Sequence, residues 1–192
     1  MVGDPSSDPA VLPANLPRPV DDGAAAHLTG MSMPLVHLRS TDGDDVDLSA
    51  LGDGRTVLFV YPMTATPGVP LPTGWDDVPG ARGCTAQACS MRDHLADLRA
   101  AGADVVLGMS SQSPAAQLEA HDRLHLPYPL VSDEDRRAAT ALRLPTFELH
   151  GSTYLRRLTL VVRSGIVEKV FYPVFPPDQH AQAVAGWLRS RS

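Results

Sequence analysis

The chain has 192 residues, 43% of them hydrophobic and 20% charged, the balance of a globular domain rather than a disordered chain. Its formal net charge of -6 and the lack of any basic run exclude a general nucleic-acid surface. No apolar stretch approaches the roughly 18 residues that a membrane helix needs, and the first thirty residues lack a signal peptide's basic start and apolar centre, so a cytoplasmic protein is expected.

Residues 1–20 carry five prolines, Pro5, Pro9, Pro13, Pro17 and Pro19, among small and polar residues. Such a segment buries too little to offset its ordering. Residues 1–30 therefore read as a Pro-rich N-terminal arm, extended or disordered, with a short helical turn in 21–30 ahead of a domain over 31–192. Leu35 to Leu48 reads as two short strands around a turn at Thr41-Asp42-Gly43. Val57 to Tyr61 (VLFVY) is a continuous apolar run stopped by Pro62, the pattern of a buried central strand. A long Pro/Gly-rich loop follows over 64–83, with Trp75 in its middle. A loop of that length inside a compact domain is uncommon and often functional.

The two cysteines of the chain, Cys84 and Cys89, come next, five positions apart, where this loop turns into a helix patterned over Ala86 to Ala101. Met91, Leu95 and Leu98 share one face of it. First-turn N–H groups are unpaired at such a junction and the helix dipole is positive, so a thiolate at Cys84 is favoured over the neutral thiol. That is a place for a nucleophile. In a reducing compartment a close cysteine pair points to catalysis or redox chemistry more than to a structural staple. On spacing alone, two buried small hydrophobes fit equally well.

Asp104 to Met109 (DVVLGM) is a second buried strand. Ser113-Pro114 opens a helix that runs to about His125, with Pro114 in its first turn. Leu130-Val131 is a short strand and Arg136 to Leu144 a short helix. Leu158 to Val162 and Val167 to Tyr172 flank Ser164-Gly165 and read as a hairpin. A last helix spans about Asp178 to Arg189, with Ala181, Val184, Trp187 and Leu188 inward. Crossover helices between apolar strands, closed by a hairpin, imply an α/β architecture with a mixed central sheet.

Tyr61-Pro62, Thr66-Pro67-Gly68 and the run Cys84 to Asp93 (CTAQACSMRD) resemble the peroxiredoxins, and among them the bacterioferritin-comigratory (PrxQ-like) group. The strand LGMS, the run VSDE at Val131 to Glu134, and Arg157-Leu158-Thr159 at the head of a hairpin strand follow in that family's order. The resemblance covers about residues 30–190. It implies a thioredoxin-like fold, its mixed central β-sheet flanked by helices. It also implies a thiol-dependent peroxidase that reduces hydrogen peroxide or organic hydroperoxides through a cysteine sulfenic acid and an intramolecular disulfide. Cys84 is then the peroxidatic cysteine and Cys89 the resolving one. Pro62 and Thr66 match the first two members of the family's PxxxTxxC signature. Arg157 is the arginine that reaches the thiolate from a neighbouring strand, with Arg156 in its place if the register slips by one. The implied partners are a peroxide substrate and a thioredoxin-like reductant, with no nucleic acid or membrane; the state is monomer or homodimer, and no metal or organic cofactor is implied.

One departure stands out. In the family the cysteine directly follows TPG; here Val69 takes that place and Cys84 arrives fifteen positions later. Either Val69 to Gly83 loops out as an insertion with Thr66 still beside Cys84, or the threonine is lost and Thr85 or backbone N–H groups do its work. The survival of both flanks of the gap favours the insertion. The loop is then a passive insertion or a lid that shapes what enters, with Trp75 over it.

Five residues along an intact helix separate two Cα atoms by about 8 Å and roughly 140°, beyond the limit of about 7 Å for a disulfide. Joining Cys84 to Cys89 therefore requires the first turn to unwind, and the reduced and disulfide forms are expected to differ over 82–92. Three other readings stand beside the peroxidase: a related enzyme specialised for a dedicated, for example biosynthetic, substrate; a thiol-disulfide exchanger, for which CxxC would be the usual spacing; and a non-catalytic binding module. His121 and His125 have helical zinc-ligand spacing but no third ligand or HExxH glutamate, and read as a solvated face.

Overall fold

The computed structural model describes residues 12, 13 and 15–191; the part of the expected Pro-rich arm in 1–11 and at 14 lies outside the described residues. The elements are β1 (His37–Ser40), β2 (Asp45–Asp47), β3 (Arg55–Val60), α1 (Cys84–Asp93), α2 (Leu95–Ala100), β4 (Val105–Ser110) and α3 (Pro114–Leu124). They continue with β5 (Leu130–Ser132), α4 (Arg137–Leu142), β6 (Thr146–Leu149), β7 (Ser152–Leu155), β8 (Leu158–Arg163), β9 (Ile166–Phe171) and α5 (His180–Arg189).

Seven strands form one sheet in the order β2-β1-β5-β4-β3-β8-β9. β3, β4 and β5 run parallel, and helices α1, α2 and α3 make the crossovers that parallel pairing requires. β8 pairs antiparallel with β3, and β1 with β5, so the sheet is mixed. Ser164 and Gly165, with φ of 48° and 75°, make the tight turn between β8 and β9.

β3 explains the continuous apolar run. Val57, Phe59 and the following Tyr61 pack with Met91, Leu98, Val184 and Leu188 under the helices α1, α2 and α5. Leu58 and Val60 point to the opposite layer, among Leu48, Leu107, Leu142 and Leu160. Both faces are covered, so alternation along the strand is not visible as polarity. Burial of each large apolar side chain contributes about 1.5–3 kcal/mol. Gly108 in β4 allows the close packing, because a Cβ there would stand 2.7 Å from Phe59 Cζ and 2.5 Å from Leu130 Cδ2.

Several boundaries differ from expectation. The helix after the loop starts at Cys84 rather than Ala86, and it divides at His94 into α1 and α2. There the His94 ring Nδ1 lies 3.0 Å from the Ser90 carbonyl oxygen, competing for the acceptor that the helix ladder uses. An unanticipated hairpin, β6–β7, forms a two-stranded sheet of its own. Its turn is His150-Gly151, with φ of 50° and 75°. Ala25 and Leu28 are buried in the layer with Leu38 and Leu142, so the packed body begins upstream of residue 31. In α5, Ala181, Val184 and Leu188 are buried and Trp187 is half-buried.

Candidate active site

Beyond β3 the chain passes through Tyr61 and the buried Pro62 to Met63, whose backbone N–H donates to Cys84 Sγ at 3.4 Å. Gly83 is the N-cap of α1 at φ 101°, a conformation that side-chain-bearing residues rarely adopt. A Cβ there would meet Pro177 Cγ at 2.5 Å and Leu12 Cδ2 at 2.9 Å. Cys84 is thus the first residue of a ten-residue helix, and it is only 3% exposed.

Arg157, just before β8, brings its Nη2 to 3.1 Å from Cys84 Sγ. The same nitrogen lies 3.3, 3.2 and 3.1 Å from the carbonyl oxygens of Gly80, Ala81 and Arg82. Nη1 donates to Gln87 Oε1. Both Arg157 and Gln87 are buried. A guanidinium out of water needs such acceptors, and its planar fork ties the loop, the helix and the sulfur into one network. Nη2 carries only two hydrogens for these four acceptors, so the sulfur competes with carbonyls for the same charge.

The remaining expected residues are placed as follows. Pro62 is buried, and its carbonyl accepts from Ser110 Oγ at 3.1 Å. Arg156 turns away, its Nε donating to the Thr146 carbonyl at 3.1 Å. Thr66 is not brought to Cys84: it is exposed on the rim of a cavity of about 570 Å³, where its carbonyl accepts from Val69 N–H at 3.1 Å. The loop 64–83 leaves β3 to pack Trp75 against Tyr154 and Phe147 of the β6–β7 hairpin, ring centroids 4.9 and 5.8 Å away, and carries Thr66 outward. Among the described residues the donors at the sulfur are Met63 N–H and Arg157.

Cys89 is half-buried on the same intact helix, both cysteines being thiols. One residue before it, the Ala88 carbonyl accepts from the Tyr128 hydroxyl at 2.7 Å. Burial holds that hydroxyl well above the ordinary phenol range, so it stays protonated and donates. On the other side of Arg157, His180 Nε2 lies 2.8 Å from Thr159 Oγ1. Burial first, and then the charge of Arg157, lower its pKa to about 3, so the ring is neutral.

Among the described residues, the buried side-chain polar atoms without a hydrogen-bond partner are Thr85 Oγ1, Gln87 Nε2, Ser90 Oγ and Arg157 Nε. All four belong to α1 or to the arginine it faces. Each such group costs about 1–3 kcal/mol, so the helix is least well satisfied where it carries the cysteines. No His/Cys/Asp/Glu cluster able to hold a metal occurs among the described residues. His121 pairs with the neighbouring Asp122 at 3.0 Å, and His125 ends α3 at φ 50°.

Two groups of this network were not singled out from the sequence, although backbone N–H groups in general were expected to serve there. Gln87 stood in the quoted run, and its i+3 position from Cys84 puts it on the sulfur's side of a helix. Met63 N–H acts through backbone, which residue identity does not announce.

The redoxin family model matches residues 28–186. The chain is 28% identical over 186 residues to the chloroplastic peroxiredoxin Q of Suaeda salsa, covering 96% of this chain and 79% of that one. Its structure matches that of peroxidoxin BcpB from Mycobacterium tuberculosis with a TM-score of 0.68 at 28% identity, over 85% of this chain and 97% of that one. PrxQ of Xylella fastidiosa shares the fold with a TM-score of 0.68 at 20% identity, over 85% of this chain and 96% of that one. This chain belongs to the redoxin family, as a peroxiredoxin of the Q type with a thioredoxin-like fold, and so to the thiol-dependent peroxidases.

Proposed function

We propose that Cys84 is the peroxidatic nucleophile and Cys89 its resolving partner. The single observation that carries this is the 3.1 Å contact between Arg157 Nη2 and Cys84 Sγ at the start of α1. The Cys84 thiolate attacks the terminal oxygen of the peroxide; the S–O bond forms as the O–O bond breaks. Sulfur is oxidised by two electrons to a sulfenic acid, and the alkoxide or hydroxide leaves and takes a proton from solvent. Arg157 and Met63 N–H are fixed donors beside the reacting atoms, where charge moves from sulfur to the leaving oxygen. Pro62 is buried immediately before Met63, and its fixed φ restrains the backbone that brings the Met63 N–H to the sulfur.

The Cys89 thiol then attacks the sulfenic sulfur, forming the disulfide and releasing water. This step requires the first turn of α1 to open. The unpartnered polar atoms along that helix support a segment held only marginally in its closed form. A thioredoxin-like dithiol returns both cysteines to thiols by exchange. Such a reductant needs a reducing compartment, which the cytoplasm provides.

The test is stopped-flow oxidation of the reduced protein by hydrogen peroxide, beside Cys84→Ser and Cys89→Ser. Wild type is expected to react orders of magnitude faster than a free thiol, Cys84→Ser not at all, and Cys89→Ser to accumulate a sulfenic acid. A wild-type rate equal to that of a free thiol overturns the assignment.

A further inference from the structure

The loop 64–83 builds a cavity that hydrogen peroxide does not need. Beside Cys84 lies a slot of about 10 Å³, lined by Met63, Ala65, Leu71, Trp75, Arg82 and Thr85 among others. That is about the space one water occupies, enough for a peroxide oxygen. Next to it, and lined in part by the same residues, Ala65, Leu71, Trp75 and Arg82, is the cavity of about 570 Å³. Its size falls in the range of sites for whole organic molecules, roughly 300–1,000 Å³.

The lining is held by packing. Trp75 is 2% exposed, held by Phe147 and Tyr154, with Leu71 and Val78 packed on the same small cluster. Pro67, Val69, Leu71 and Pro72 give the rest of the lining its apolar groups, beside polar groups in comparable share. Its charged residues are Asp76, Asp77 and Arg82, and Arg82 is bound to Asp76 at 3.3 Å. One carboxylate, that of Asp77, is therefore left uncompensated within the cavity.

We propose that this cavity is a substrate subsite, and that it selects bulky organic hydroperoxides that are neutral or cationic over those carrying a carboxylate. The proposal rests on the peroxidase reading of Cys84. The peroxide group enters the slot and the organic body fills the cavity, so that the leaving group departs as an alcohol still held there. Val69 and Asp77 set the specificity: the first, 61% exposed on the rim, limits bulk, and the second sets charge. An exposed carboxylate acts through a high dielectric, so the discrimination is modest, about five- to tenfold.

The experiment measures second-order oxidation rate constants of the full chain by stopped flow. The peroxides are hydrogen peroxide, cumene hydroperoxide, and the para-carboxylate and para-aminomethyl forms of cumene hydroperoxide. The two charged aryl peroxides have nearly the same shape, so their ratio reads charge alone. Wild type is expected to favour the aminomethyl over the carboxylate form at low salt, the ratio shrinking as salt is added. Asp77→Lys is expected to reverse that order, and Val69→Arg to lower the ratio of cumene hydroperoxide to hydrogen peroxide at least fivefold. Both positions are exposed, so the folded state is expected to survive, and circular dichroism checks it. The wild-type series tests the proposal even if a variant fails to fold. Equal rates for the two charged peroxides in wild type, or an order that Asp77→Lys leaves intact, overturn the subsite while fast reaction with hydrogen peroxide upholds the nucleophile. Slow reaction with every peroxide overturns both.

Discussion

The Tyr128 hydroxyl donates at 2.7 Å to the carbonyl of Ala88, the residue immediately before Cys89. α1 is thereby anchored from outside just where opening of its first turn would have to stop. Arg92 adds a second anchor, its Nη1 donating to the Leu124 carbonyl at 2.7 Å. Opening is then confined to the turn between Cys84 and Ala88. Tyr128→Phe removes the first anchor and is expected to cost about 1 kcal/mol of stability, while speeding formation of the Cys84–Cys89 disulfide after oxidation. Urea unfolding and a rapid-quench thiol count check the two effects; unchanged disulfide kinetics would show that the anchor does not limit opening.

Arg157 is not replaceable by lysine. An ammonium group has no planar fork to reach Gln87, three successive carbonyls and the sulfur together. Arg157→Lys is expected to lower the rate constant for peroxide by about 10²-fold or more, on the scale of a lost fixed donor. Because the Gly80, Ala81 and Arg82 carbonyls lose a partner, the loop also loosens, and hydrogen exchange over 80–83 rises. A Lys variant with wild-type kinetics would remove Arg157 from the mechanism.

His180 gives the fold a pH dependence with a definite sign. Its pKa falls from 6.5 in the unfolded chain to about 3 in the fold, so between those values only the unfolded chain binds the proton. Stability is complete above pH 6.5 and falls as pH drops through that window, by about 2 kcal/mol at pH 5 from this group. In His180→Gln, the loss between pH 7 and 5 is expected to be smaller by that amount, measured by urea midpoints at both values.

Gly83→Ala combines a strained backbone with a collision. The added methyl would lie 2.5 Å from Pro177 Cγ and 2.9 Å from Leu12 Cδ2, on a residue held at φ 101°. A loss of about 1–3 kcal/mol is expected, together with slower oxidation of Cys84, because the helix start that holds the sulfur shifts. Thermal unfolding and the stopped-flow rate measure both.

Much of this was legible in residues with strong local signals. VLFVY stops at Pro62 and is buried on both faces; Ser113-Pro114 caps and starts α3, Ser113 Oγ accepting from Ala116 N–H at 3.3 Å. The β6–β7 hairpin was missed because Thr146–Leu149 and Ser152–Leu155 are short and lie at a half-exposed edge, although His150-Gly151 was a turn signal. The helix break at His94 depends on a ring nitrogen finding a carbonyl. Thr66 shows the limit most plainly. Its place in a motif is a property of the sequence, but its distance from Cys84 depends on where Trp75 finds its aromatic partners, two strands beyond α4.

The burial of Cys84 has a consequence for chemical labelling. A sulfur 3% exposed behind a slot of about 10 Å³ admits a peroxide oxygen but hinders a maleimide or an iodoacetamide, whereas Cys89 is half-buried and the less hindered of the two. Alkylation of the folded, reduced protein is therefore expected to mark Cys89 before Cys84, and a ranking of the two cysteines by alkylation rate would point away from the nucleophile proposed above.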